Sequence, residues 1–480
     1  MRFAPSVIFR VCVHTFQMDF KTNNKGDVRF PGRLYCLEGN FFKKFTYVQY
    51  MIGRETWIEI IKDFQEFKLP DLIEREKKID VDIPIKRAIS IIGPRRTGKT
   101  YFMYQLISNL IRSGIDKSRL LYIDLEREPL AICDSADLVK LLNIFYEIYP
   151  ENLEKKCYIF LDEIQNVENW ERFVRTAMDN RDIQIFISGS SSKLLSREIS
   201  TSMRGRTISE GIYPFSFREF LLARDFKIEK YMSTSRKLTL LNLLNKFLLG
   251  SYPEVALYEK EREKILSEIL DVTIYRDIIE RYSVKNIKAL RLTITGVANS
   301  PYFSVHKFSN YLKSLGIKVS KNTIYSYLEY LNDSMILYQL RKFSKSYKEV
   351  YQSIPKMYFV DNGFLLIQGI KDIGRFMEGV VFVDLLRRGF KINRDLFYYK
   401  KIEHEVDFLI RKGTEVKQLI QVTYASGKDE IEKREFKSLV KASDGVGCED
   451  LVIITWDYED ELKIEDKTIR CIPLWKWLLR

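Results

Sequence analysis

Histidine is scarce in this 480-residue chain, with three in all. The six cysteines (Cys12, Cys36, Cys133, Cys157, Cys448 and Cys471) lie far apart and form no C-x-x-C pair. These shortages argue against a zinc site or a disulfide framework and fit a reducing cytoplasm. No apolar run approaches the ~20 residues that span a bilayer, so no transmembrane helix and no membrane partner are expected. Ser6 to Val13 is apolar but broken by Arg10, with no convincing cleavage site after it, and does not read as a signal peptide. Internal repeats and low-complexity tracts are missing as well.

Acidic charge is in shorter supply than basic, leaving a net charge of +13. Residues 1–50 hold eight Lys/Arg against three Asp/Glu, and residues 301–360 hold nine against three. Those stretches account for most of the excess and suggest a polyanion partner, although a solvated basic face would read the same way. A hydrophobic content of 46% is ample for packed cores, and the length suggests about three domains at ~150 residues each.

What the chain does have is Gly93-Pro94-Arg95-Arg96-Thr97-Gly98-Lys99-Thr100, the full G-x-x-x-x-G-K-[ST] pattern. Arg87 to Ile92 before it reads as a buried strand, and Tyr101 to Ile111 after it as a helix. That context suits a phosphate-binding loop. Glycines let backbone N–H groups turn around a phosphate, and a helix start adds unpaired donors. Lys99 would neutralise the β- and γ-phosphates of ATP, and Thr100 would ligate Mg²⁺. Downstream, Arg119–Asp124 reads as a strand and 136–149 as a helix. Cys157-Tyr158-Ile159-Phe160-Leu161-Asp162-Glu163 then makes an apolar strand that ends in paired acids. Asp162 would hold Mg²⁺ and Glu163 would polarise the attacking water. The intervening strand implies the additional-strand class of P-loop ATPases.

After a helix at 170–180, Ile183–Ile187 reads as a strand leading into Ser188-Gly189-Ser190-Ser191-Ser192. Ser190 is a candidate γ-phosphate sensor, and a serine-rich turn is the alternative. Arg206, or else Arg204, is a candidate arginine finger acting in cis or from a neighbouring subunit of a homo-oligomer.

Gly93–Thr100, Leu161-Asp162-Glu163-Ile164-Gln165, Ser188–Leu195 and Tyr213-Pro214-Phe215-Ser216-Phe217-Arg218-Glu219-Phe220 occur in series. From about residue 55 onward the chain resembles the archaeal and bacterial AAA-type ATPases with a C-terminal domain of unknown function. The resemblance implies an α/β fold: a parallel-sheet P-loop core, a helical lid, a winged helix and a C-terminal restriction-endonuclease-like domain. The expected divisions are 1–50 (an extension of unknown fold, or an upstream-start artefact), 51–225 (core), 226–300 (lid), 301–356 (winged helix) and 357–480 (nuclease-like). The family's Gly-Gly-x-Pro lid motif appears as Gly250-Ser251-Tyr252-Pro253, and serine tolerates positive φ less well than glycine.

Helices at 305–315 and 321–331, a glycine turn between them and a strand at 336–343 fit the winged-helix layout. Lys321, Asn322, Thr323 and Ser326 at the start of the second helix are the candidate DNA contacts, although many winged helices contact only protein. In the last region the resemblance aligns Glu378, Asp407 and Gln421 with the nuclease motif, Glu378 and Asp407 being a vestigial metal pair. Thr423 stands where the catalytic lysine belongs, which implies an inactive domain unless Lys433, Arg434 or Lys437 supplies the cation. The sequence-level expectation is an ATPase coupling nucleotide state to DNA or partner binding. A slowly hydrolysing regulatory switch and an ATP-gated nuclease are the alternatives.

Overall fold

The computed structural model describes residues 10–13, 16–19, 52–81, 83, 85–189, 203, 205–402 and 404–480. Met1–Met51 and Ile52–Arg480 are separate units. In the first, β1 (Arg10–Val13) and β2 (Phe16–Asp19) pair antiparallel.

The second unit begins with α1 (Arg54–Glu66) and a five-stranded parallel sheet. Its strands are β3 (Ala88–Ile92), β4 (Leu120–Asp124), β5 (Cys157–Asp162), β6 (Ile183–Gly189) and β7 (Thr207–Gly211). The spatial order is β4-β5-β6-β3-β7, so β6 separates the strand carrying the paired acids from the strand feeding the glycine loop. That insertion is what the additional-strand expectation requires. Four of these strands are apolar on both faces because helices cover both sides. Ile89 and Ile91 pack with Phe102 and Leu106 of α2 (Lys99–Arg112). Ala88 and Ile92 turn the other way, toward a core shared with α1, α3 (Ser135–Ile148) and α4 (Trp170–Asn180). The alternation also splits β5: Tyr158 and Phe160 join the first core, Ile159 and Leu161 the second. Strand β7 was not anticipated from sequence. As an edge strand with Thr, Ser and Glu among its five residues, it is only partly buried and carries little apolar signal.

Helices follow: α5 (Phe217–Ala223), α6 (Thr234–Leu248), α7 (Pro253–Leu257) and α8 (Arg262–Val272). The last continues into a π-helical turn, Thr273–Glu280. Next come α9 (Ile287–Asn299), α10 (Val305–Ser314), α11 (Lys321–Asp333), and β8 (Leu337–Leu340) paired antiparallel with β9 (Lys356–Phe359). Between those strands lies α12 (Tyr347–Gln352).

The remainder holds α13 (Gly363–Leu366), α14 (Ile373–Arg387), α15 (Lys433–Val446) and α16 (Leu474–Leu478) around a mixed six-stranded sheet. Its strands are β10 (Leu396–Lys401), β11 (His404–Lys412), β12 (Glu415–Val422), β13 (Leu451–Thr455), β14 (Asp460–Ile464) and β15 (Lys467–Pro473). Their order is β10-β11-β12-β13-β15-β14.

One apolar core runs from Phe215 through Leu240, Leu290, Leu331 and Phe376 to Trp477. It crosses the expected divisions near 225, 300 and 356. The lid motif is stitched in by polar contacts. Ser251 donates from its N–H and its hydroxyl to Asp361 Oδ2, each at 2.7 Å. Gly250 takes the positive φ of 144°, and Ser251 is not among the positive-φ residues, so the strain expected at Ser251 does not arise.

Candidate functional site

The glycine loop leaves β3 and enters α2. A Cβ on Gly93 would lie 2.1 Å from the Ile212 carbonyl oxygen, so only glycine fits there. Gly98 caps α2 at φ 86°, a left-handed conformation that favours glycine. Thr97 Oγ1 donates to Pro94 O at 2.8 Å and ties the loop across itself. Arg75, which the sequence did not single out, braces it from behind. It donates to Thr97 O at 2.8 Å and pairs with Glu219 at 3.0 Å.

Lys99 is buried, 3.3 Å from Pro94 O and 3.6 Å from Glu163. Thr100 Oγ1 donates to Asp162 Oδ2 at 2.6 Å, and the Tyr122 hydroxyl donates to the same oxygen at 2.9 Å. Ser188 donates to Asp162 Oδ1 and accepts the Glu163 N–H at 2.9 Å. Burial pushes the Asp162 carboxyl up, against the pull of these hydroxyls. Burial opposes ionisation of Glu163 too, but Lys99, Gln165 and Arg95 together hold it below its usual value. Two carboxylates thus meet the loop's lysine and threonine in one place, and Thr100 with Asp162 supplies oxygens suited to Mg²⁺. Ser190 and Arg204 lie outside the described residues. The polar contact at this strand end comes from Ser188, whose signal was a hydroxyl at the close of an apolar strand.

The loop's two arginines reach the helices after the core, in the stretch expected as a lid. Arg95 Nε lies 2.8 Å from Asp277 Oδ2, on the π-helical turn, and its Nη1 lies 3.6 Å from Glu126. Arg96 pairs with Glu254 at 3.3 Å and Glu268 at 3.1 Å. Burial raises the Asp277 carboxyl while Arg95 opposes it. Sequence reading missed all three lid acids.

Arg206 sits elsewhere. Its carbonyl accepts the N–H of Ala88, at the start of β3 and so at the end opposite the loop, and its guanidinium holds Asp179 at 2.6 Å. Five strand residues at ~3.3 Å each separate it from the glycine loop. The cis arrangement is therefore corrected: Arg206 does not reach its own chain's loop.

Glu378 and Asp407 do come together, but around a buried ammonium. Lys356 Nζ lies 3.0 Å from Glu378, 3.0 Å from Glu405 and 2.8 Å from Asp407. Asp407 Oδ2 also accepts the Val422 N–H at 2.9 Å. A cation on the chain occupies the space between the carboxylates, so the cluster as built does not suit a divalent metal. Lys433 and Lys437 are exposed, and Arg434 pairs with Glu432, so none of the three joins the cluster. Thr423 faces Glu435, whose carboxyl burial pushes up to about 7. The buried Gln421 Oε1 has no partner among the described residues. On α11, Asn322, Thr323 and Ser326 line a shared concavity, whereas Lys321 turns to His306 Nδ1 at 2.8 Å.

Residues 85–221 match the AAA domain model. Residues 241–372 and 373–477 match two domains of unknown function, DUF8612 and DUF4143. The uncharacterized protein MJ1544 of Methanocaldococcus jannaschii is 39% identical over 87% of this chain and 95% of that protein. An uncharacterized protein of Haemophilus influenzae is 30% identical over 85% of this chain and 99% of that protein. The chain belongs to this family of AAA-domain proteins. Among solved structures, Cdc6p from Pyrobaculum aerophilum is 14% identical at a TM-score of 0.25, covering 71% of this chain and 97% of that one. The Aeropyrum pernix ORC1 protein in complex with DNA is 14% identical at a TM-score of 0.26, covering 71% and 95%. Similarity at that level does not inform function. Among the described residues of this family member, no helix is long and apolar enough to cross a membrane.

Lys356→Met should lower stability by about 3–5 kcal/mol in urea denaturation, because it leaves buried carboxylates without their cation. A loss under about 1 kcal/mol would mean that the cluster protonates at no cost and that Lys356 is dispensable.

Proposed function

We propose that this AAA protein binds ATP with Mg²⁺ and hydrolyses it, using the nucleotide state to set the position of its lid. The observation that carries the reading is the double engagement of one loop. Lys99 and Thr100 meet Glu163 and Asp162, while Arg95 and Arg96 hold Asp277, Glu254 and Glu268. Lys99 neutralises the β- and γ-phosphates, and Thr100 with Asp162 holds Mg²⁺, which neutralises charge on the phosphates when bound. Glu163, kept ionised, orients water and takes its proton; Ser188 positions both acids. Arg95 and Arg96 exchange carboxylates for phosphate oxygens, releasing the lid. The Glu–Lys pair thus stands ready, and the arginines report occupancy.

The wider reading assigns residues 301–356 to a winged helix that contacts DNA or a partner, and 357–480 to a nuclease-like platform without cleavage activity. The basic excess of the first supports the one assignment; Lys356, seated among the carboxylates, supports the other. Arg206, half-buried, paired with Asp179 and far from its own loop, serves as a finger only from a neighbouring chain.

Lys99→Ala should abolish tight ATP binding, whereas Glu163→Gln should bind ATP and hold it unhydrolysed. Turnover of Glu163→Gln at the wild-type rate would remove Glu163 from the chemistry. The same assay, run over a range of protein concentrations, should show activity per chain rising if Arg206 acts between chains; a flat rate excludes that role. Strong stimulation by DNA in this assay marks a motor, and a flat response marks a switch.

Supercoiled DNA incubated with the protein in Mg²⁺ or Mn²⁺ should stay intact. Cleavage that disappears in Asp407→Ala would overturn the platform assignment.

A further inference from the structure

Beneath the first turn of α11 lies a concavity of about 470 Å³. One wall is Tyr282–Asn286, the segment joining the π-helical turn to α9; the other is Lys318–Ser320 together with α11. The walls are braced against each other. Tyr282 stacks on Tyr330 with ring centroids 3.8 Å apart and 9° between planes, and its hydroxyl donates to Asp333 at 2.8 Å. The Tyr327 hydroxyl donates to Asn286 O at 3.2 Å.

The lining combines cations with small neutral donors. Lys285, Lys318, Asn322 and Ser326 face the space, and no Asp or Glu lines it. Among the described residues, none of these four side chains has a hydrogen bond or ion pair. The contrast with Lys321 is informative: it stands on the same helix turn but spends its ammonium on His306. Two unpaired lysines, an amide and a hydroxyl around an acid-free concavity make a receptor for anionic oxygens. Lysine binds phosphate as a point charge, with three donors that meet its oxygens at varied angles.

We propose that this concavity holds the phosphodiester backbone of a nucleic acid strand, with Lys285 and Lys318 each on a phosphate and Asn322 and Ser326 donating to the same oxygens. The inference rests on the nucleic-acid role proposed for α11 and moves its charge contacts off that helix. One contact comes from the segment that follows Asp277. A strand in the concavity therefore touches both α11 and the chain that the phosphate loop holds through Arg95.

The test uses the full chain and labelled duplex and single-stranded oligonucleotides, with anisotropy read across a salt series. The double substitution Lys285→Ala, Lys318→Ala should weaken binding at least tenfold and reduce the salt slope by about two, near 0.9 per phosphate lost on a duplex or 0.7 on a single strand. The oligonucleotide form that shows the larger loss identifies the natural source. Lys313→Ala, an exposed lysine on α10 outside the concavity, should leave both unchanged. ATP binding by the double variant should equal wild type, which also shows that it is folded. An unchanged slope in the double variant, with Lys321→Ala reducing it instead, overturns the concavity and leaves the α11 reading intact. Failure of the wild type to bind either oligonucleotide removes the α11 reading and this inference together. Tighter binding of an acidic peptide than of either oligonucleotide assigns the concavity to a protein and overturns the proposal.

Discussion

The pair between Arg95 and Asp277 joins the phosphate loop to the π-helical turn of the proposed lid, and the proposed coupling depends on it. Arg95 belongs to the phosphate loop itself. Here it is partly buried against a carboxylate 2.8 Å away, while its neighbour Arg96 holds two more. The half-buried Arg95–Asp277 contact is worth about 1.5–3 kcal/mol, whereas the exposed Arg96 pairs contribute about 0–1 kcal/mol each. Exchange of both arginines therefore involves a few kcal/mol, enough to shift a two-state population though less than the about 5.5 kcal/mol that takes it from 1:99 to 99:1. The π-helical turn carrying Asp277 fits this role, since such turns are rare and gather at functional sites. Lys99 and Glu163 also act on the Asp277 carboxyl electrostatically, after burial and Arg95.

The C-terminal part answers a similar electrostatic problem differently. Three carboxylates gathered in a buried place need a cation, and the chain supplies one covalently through Lys356. A tethered ammonium cannot exchange, and it leaves the cluster a fixed part of the core. The continuous apolar core and the Ser251–Asp361 contacts tie this region to the helices of residues 226–300.

Much of the core was legible because its signals are local. The glycine loop, the apolar strand ending in Asp162-Glu163, and the helices at 54–66, 170–180, 305–314 and 321–333 follow from spacing and caps. Ser320 accepts the Thr323 N–H at 3.0 Å, as a serine before a helix should. What escaped was long-range. Asp277, Glu254 and Glu268 were three acids in a charged helical stretch, with nothing in the spacing to aim them at Arg95 and Arg96. Lys356 follows Pro355 at the head of an apolar strand, where a lysine ordinarily marks an exposed end; its three partners come from α14 and β11, 22 to 51 residues away. The cation in the carboxylate cluster comes from an earlier strand and not from the helix that follows Thr423. Arg206 failed differently: its distance in sequence from the loop is suitable, but β7 runs parallel to β3 and delivers it to the wrong end of the sheet.

Hydrogen exchange on the Glu163→Gln protein, with and without ATP and Mg²⁺, tests the central claim most directly. The account predicts slower exchange in residues 93–100, where the nucleotide sits, together with faster exchange in 262–286 as Asp277 and Glu268 lose their arginines. Protection at 93–100 with no change in 262–286 would show nucleotide bound and the lid indifferent, contradicting the coupling between them.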